Sequence, residues 1–169
     1  MLAVSDAALP SGSAPLDVKR TALAYYSTAA HDERFSIDVL RRVRIMEVSV
    51  QPKADEPSQV ETVIVCETEV ERDMLNAAGS MHGGCGAYLV DVCASVAIAA
   101  AGHIDAVSQT LNMYYHAPAL TEHRLRIISR TMSVGSRIAS ARSEIWDTTS
   151  ARLCASGVLV KMSPVPSKM

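Results

Sequence analysis

Residues 76–102 read NAAGSMHGGCGAYLVDVCASVAIAAAG, and this stretch holds one carboxylate, Asp91. From Gly84 to Ala101 the composition is that of a helix apolar enough to be buried on nearly every face, so an acid in its middle calls for a partner or a task. His82-Gly83-Gly84 stands where that helix would begin. A helix N-terminus offers unpaired N–H groups and the positive end of the helix dipole. Glycines there let a ligand or another backbone approach those groups closely. Gly83 and Gly84 therefore make a place to hold an oxyanion or a polarised carbonyl oxygen. His82 lies beside it, and Asn76 is a neutral polar side chain six residues earlier. An amide that grips a carbonyl, together with a carboxylate base, points to hydrolysis of an acyl group.

The spacing sets a condition on this chemistry. Gly83 and Asp91 are eight residues apart, roughly 12 Å at the rise of a helix. Donor and base must both reach one carbonyl and its attacking water, each at roughly 3 Å. One chain does not easily supply both. Two copies with antiparallel helices would place the acid of one against the amide of the other, so the spacing argues for a symmetric dimer with two shared sites.

Each residue also has a plain structural reading. Asp91 could meet a buried hydrogen-bond partner, or share a narrow polar stripe with Ser95 at i, i+4. His82 could cap the helix, and Asn76 could serve the turn before Gly79. Ser108 opens a strand, where a serine needs no explanation. Cys85 could be paired with His82 as a nucleophile, but cysteine is more often a small buried hydrophobe.

Composition narrows the field. The chain has 169 residues, which suits one domain, and its net charge of −2 gives no reason to expect nucleic acid as a partner. Only one Trp and one Phe are present, which argues against an aromatic base-stacking platform. Cys66, Cys85, Cys93 and Cys154 form no C-x-x-C pair, so neither a metal nor a cofactor is called for, and a reducing compartment follows. Asp91 would cost roughly 2.5–3.5 kcal/mol at a bilayer centre, which argues against a membrane span. Residues 1–16 carry no secretory or transit signature. The ending Ser167-Lys168-Met169 resembles the peroxisomal Ser-Lys-Leu address, so the expected location is cytoplasmic or peroxisomal.

The elements that must position these residues follow from periodicity. Residues 1–16, rich in Ala, Ser, Pro and Gly, are expected to be disordered. A helical extension spans 17–35, with apolar spacing over 17–31. The main domain runs over 36–163, and 164–169 form a tail. Alternation predicts strands over 42–50, 59–71, 108–117, 122–134, 136–147 and 151–162, with the helix 84–101 between the second and third. The first two strands form a hairpin. The last four are joined by short connections, which predicts antiparallel neighbours in chain order. A helix apolar nearly all round needs cover, and a curved antiparallel sheet wrapped around it supplies that cover: an α+β architecture.

These residues carry a resemblance. Asn76, Gly79, His82, Gly83, Gly84 and Asp91, in order, are similar to the motif of the hotdog-fold acyl-CoA thioesterases, in the PaaI-like branch. Val107-Ser108 and Pro118-Ala119 match the following strand of related animal enzymes. The resemblance covers residues 40–162. It implies a hotdog domain that hydrolyses acyl-CoA, with the Gly83 N–H on the thioester oxygen. It further implies that Asn76 and His82 position the carbonyl and the water, and that Asp91 of the partner chain is general base or nucleophile. Ser108 would orient the water or Asp91. Coenzyme A would lie along the dimer surface with its phosphates near basic side chains. Of the arginines at 124, 126, 130, 137, 142 and 152, most belong to a solvated sheet face; Arg137 and Lys161 are the expected phosphate contacts. Homodimers paired into tetramers are implied as well. Two other readings stay open: a hotdog acyl-CoA hydratase or dehydratase, and an acyl-CoA or lipid-binding module without turnover.

Overall fold

The computed structural model describes residues 9–31 and 35–164. The tripeptide 167–169 lies outside the described residues. Helices α1 (Leu16–Ala29) and α2 (Ile37–Arg42) precede strands β1 (Arg44–Pro52) and β2 (Val60–Glu69). The long helix α3 (Gly83–Ala100) follows, then β3 (Val107–Tyr115), β4 (Arg124–Val134), β5 (Ile138–Asp147) and β6 (Arg152–Met162). Every strand and both long helices expected from periodicity are present. The short helix α2 and a 3-10 turn at Arg72–Met74 are additions, each too brief to establish a period of its own.

All six strands form one antiparallel sheet in the order β1-β2-β4-β5-β6-β3. The expectation that β3 neighbours β4 is corrected here: β3 pairs with β6 and ends the sheet. Residues 116–123 make this reachable. They number eight, and eight extended residues span up to roughly 26 Å, against roughly 14 Å for three strand spacings. The connection leans on the sheet as it crosses, with the N–H groups of His116 and Ala117 on the Cys154 carbonyl.

The sheet curls around α3, giving the α+β hotdog architecture. Leu89, Val90, Cys93, Val96 and Ala97 pack against Ile64, Leu125, Ile127 and Ile145. Farther along, Ala94 and Ile98 meet Ala139, Ala141 and Leu159. Each fully buried Leu, Ile or Val contributes about 1.5–3 kcal/mol. By length and composition α3 could cross a membrane, yet its apolar faces are covered by the sheet and by α1. From Leu89 to Ala100 every residue is buried except Asp91.

The N-terminal segment departs from expectation. Residues 9–15, expected to be disordered, run beside β1. Ser11 N–H donates to the Met46 carbonyl at 2.9 Å, and Val48 N–H returns to the Ser11 carbonyl at 2.9 Å. Composition concealed this because the segment borrows its order from an existing strand edge. One sheet edge is thereby covered. The other, β3, is open and displays Val107, Tyr114 and Tyr115 at 58–63% exposure.

Candidate active site

The residues 76–84 form a turn feeding a helix. Asn76 Oδ1 accepts from the N–H groups of Ala78 at 2.9 Å and Ser80 at 3.3 Å, and its Nδ2 donates to Ser80 Oγ at 3.1 Å. Gly79 has φ of +79°, a conformation L side chains rarely adopt. Asn76 thus organises the turn, and through it the approach of Met81 and His82 to α3. His82 is the N-cap: its Nδ1 accepts from Gly84 N–H at 2.9 Å. A neutral imidazole that accepts at Nδ1 carries its proton on Nε2. A Cβ on Gly84 would lie 3.0 Å from that Nδ1, so the cap needs glycine there.

The cap leaves one amide over. Gly84 N–H goes to His82 Nδ1, and the Cys85 and Gly86 N–H groups go to the His82 carbonyl at 2.9 and 3.1 Å. Gly83 N–H has no partner among the described residues. It is the donor free to hold an oxyanion. Tyr115 packs over it: the phenol donates to the Gly83 carbonyl at 2.7 Å, and a Cβ on Gly83 would lie 3.3 Å from the ring. Sequence reasoning missed Tyr115. It ends a strand of ordinary alternation, and only the β3 position at the sheet edge brings it to the start of α3.

Two turns farther along α3, Asp91 is half-buried, and its Oδ1 accepts from Ser108 Oγ at 3.0 Å. The structure therefore joins the acid to the serine at the start of β3. Tyr88 lies one turn before Asp91 and donates to the Phe35 carbonyl at 2.7 Å. Its own phenol is held protonated above the ordinary range, by burial first and then by the Asp91 charge. Cys85 is no nucleophile candidate here: burial, aided by Asp73, pushes its thiol up to about 11, which leaves little thiolate at neutral pH.

The two expected phosphate contacts part ways. Arg137 is exposed at the turn between β4 and β5, with its carbonyl held by Ser163 N–H at 2.8 Å. Neighbouring Ile138 pairs with Met162, which pairs with Val107, so Arg137 lies at the sheet end that carries Ser108. Lys161 is placed otherwise: it is 5% exposed, its ammonium enclosed by Ser95 and Tyr25 rather than turned to solvent. Alternation in β6 held the signal, since Gly157, Leu159 and Lys161 share one face. Of the other arginines, Arg124 and Arg126 stand on the outer face across from Glu69 and Glu67, and Arg130 pairs with Glu61 at 3.2 Å.

A six-stranded antiparallel sheet rolled around one long apolar helix defines the hotdog fold. The comparisons agree. The thioesterase superfamily model matches residues 78–154, from the turn of Asn76 to β6. Mouse acyl-coenzyme A thioesterase 13 is 30% identical over 95 residues, covering 56% of this chain and 68% of that protein. The structure of zebra fish thioesterase superfamily member 2 aligns with TM-score 0.67 and 26% identity over 90% of this chain and 100% of that one. The fold is also that of the phenylacetic acid degradation protein PaaI from Thermus thermophilus, with TM-score 0.58 and 20% identity over 72% of this chain and 93% of that one. The chain belongs to the thioesterase superfamily and is a thioester hydrolase of the hotdog fold.

Proposed function

We propose that the protein hydrolyses acyl-CoA thioesters to the free acid and coenzyme A at two equivalent sites of a homodimer. Each site takes Asp91 from one protomer and the Gly83 N–H from the other. The observation that carries this is the pairing of a free amide at Gly83 with an acid at Asp91, oriented by Ser108, on one rigid helix. The two are too far apart along that helix to serve one substrate within a chain. The open edge of β3, with Val107, Tyr114 and Tyr115 exposed, is the face such a dimer would cover.

The chemistry follows from these positions. Asp91 takes a proton from water, and the hydroxide adds to the thioester carbonyl carbon. The Gly83 N–H holds the resulting oxyanion, with the Nε2–H of His82 beside it. Collapse re-forms the carbonyl and breaks the C–S bond, and the proton passes to the departing sulfur. If Asp91 instead attacks directly, an acyl anhydride forms and water then cleaves it; single-turnover hydrolysis in labelled water separates the two by placing label in Asp91 only in the second case.

The exposed Arg137 is the side chain proposed to meet a coenzyme A phosphate, and two dimers pairing into a tetramer is part of this reading. The location proposed is cytoplasmic or peroxisomal; a reporter fused to the chain with and without Ser167-Lys168-Met169 tests it. The activity itself is tested by Asp91→Asn. That variant keeps fold and oligomeric state and loses turnover by at least roughly a hundredfold. Undiminished thiol release would reject the mechanism.

A further inference from the structure

Lys161 is a cation without an ion pair among the described residues. It sits in β6 on the face turned toward α3 and is 5% exposed. Its ammonium donates to Ser95 Oγ at 2.9 Å and to the Tyr25 hydroxyl at 3.0 Å, and lies 5.6 Å from the Tyr25 ring centroid. No salt bridge among the described residues involves it. An ammonium has three donors, so two hydroxyls leave one unused, and neither neutralises the charge. A buried, unpaired charge is among the most unfavourable features a fold can retain. An anion that arrives with a ligand removes the difficulty.

The position says which ligand. Ser95 is one turn beyond Asp91 on the same face of α3, roughly 6 Å along its axis. Ser108, the partner of Asp91, is the cross-strand neighbour of Lys161. An acyl group whose thioester carbonyl lies at Asp91 reaches this ammonium a few carbons farther on if it follows α3 toward its C-terminus. A hydrocarbon chain alone would leave the ammonium unmatched; a terminal carboxylate would complete it.

We infer that Lys161, together with Ser95 and Tyr25, selects acyl groups that carry a carboxylate a few carbons from the thioester carbonyl. This rests on the thioesterase reading above and names the class of substrate it takes. Lys161 is then a specificity residue, and α1 is present to bring Tyr25 to it.

Glutaryl-CoA and pentanoyl-CoA share a five-carbon acyl chain and differ in the terminal carboxylate, so their ratio of kcat/KM is the test. The full chain is expected to favour glutaryl-CoA by roughly tenfold or more. In Lys161→Met that ratio falls toward one, and Lys161→Arg retains a preference. Tyr25→Phe, which loses one hydroxyl and keeps the ring, guards against a Met variant that fails to fold; its ratio shifts in the same direction. A lysine that merely tethers α1 would lower the melting temperature of these variants and leave the ratio where it was, and that result overturns the inference. Calorimetric affinities of both thioesters for Asp91→Asn supply a second readout. If neither these two thioesters nor any member of a saturated chain-length series is hydrolysed, the thioesterase reading fails, and the inference stands or falls on whether glutaryl-CoA binds more tightly and Lys161→Met removes the difference. If both are hydrolysed and bound equally, the inference fails and the thioesterase reading survives.

Discussion

Ser108→Ala isolates the contact between β3 and the acid. The wild-type Ser108 hydroxyl donates to Asp91 Oδ1 at 3.0 Å, with the serine exposed and the carboxylate half-buried. Hydrogen bonds to charged groups contribute about 1.5–3 kcal/mol, and water access places this one at the low end, about 1.5 kcal/mol. Water takes the place of the hydroxyl, so the fold loses little, within about 0.5 kcal/mol. In the proposed mechanism, what is lost is the fixed aim of the carboxylate at the water it deprotonates. That loss is felt in the transition state, so kcat falls about tenfold while KM changes less than about twofold. Steady-state thiol release across a chain-length series of acyl-CoA esters measures both constants, and a thermal melt confirms the fold. Ser108→Thr, which keeps the hydroxyl, restores most of the rate. A kcat within about twofold of wild type for Ser108→Ala would refute the claim that Ser108 orients Asp91.

Two further predictions concern the frame around the site. Asp147 is 1% exposed; burial alone would raise its carboxyl, but hydrogen bonds from His123, Ser150 and Thr149 outweigh it and hold the group at about 2, below its ordinary 3.8. Its stabilising contribution is therefore complete above pH 3.8 and lost as the pH falls toward 2; acid unfolding of Asp147→Asn, followed by circular dichroism, should show a weaker dependence through that window. Gly157→Ala should lower stability by about 1–3 kcal/mol in denaturant titration, because the new Cβ would lie 2.6 Å from Met113 Sδ and 2.8 Å from the Asn112 carbonyl oxygen.

Local periodicity carried most of the fold. Alternation in 42–50 and 151–162 and the unbroken apolarity after Gly84 identified the strands and α3 because each pattern reflects burial against one neighbouring layer. Pairing across the sheet was less accessible. β3 alternates equally well beside β4 or β6, and nothing in residues 116–123 says whether the chain turns back or crosses. The same gap hid Tyr115, whose contact with Gly83 depends on β3 being the edge strand. His82, Gly83 and Asp91 stand out as candidates because an acid in an apolar helix and paired glycines at its start are locally costly features. Asn76 was read both toward substrate and as a turn residue, and its amide is engaged with Ala78 and Ser80 in that turn. Lys161 was expected at a coenzyme A phosphate, while its strand face turns it inside.

In the proposed site acid and amide come from different chains, and mixed dimers test this directly. Asp91→Asn disables the acid. Gly83→Pro removes the amide hydrogen at the first helical position, where proline is tolerated. His82 already has φ −61° and ψ 135°, the extended region that a residue before proline requires. Each variant alone should be nearly inactive. Refolded together in equal amounts, half the dimers are mixed, and each of those holds one site with both groups intact, so about a quarter of wild-type thiol release returns. Mixed samples no more active than the separate variants would contradict the shared site.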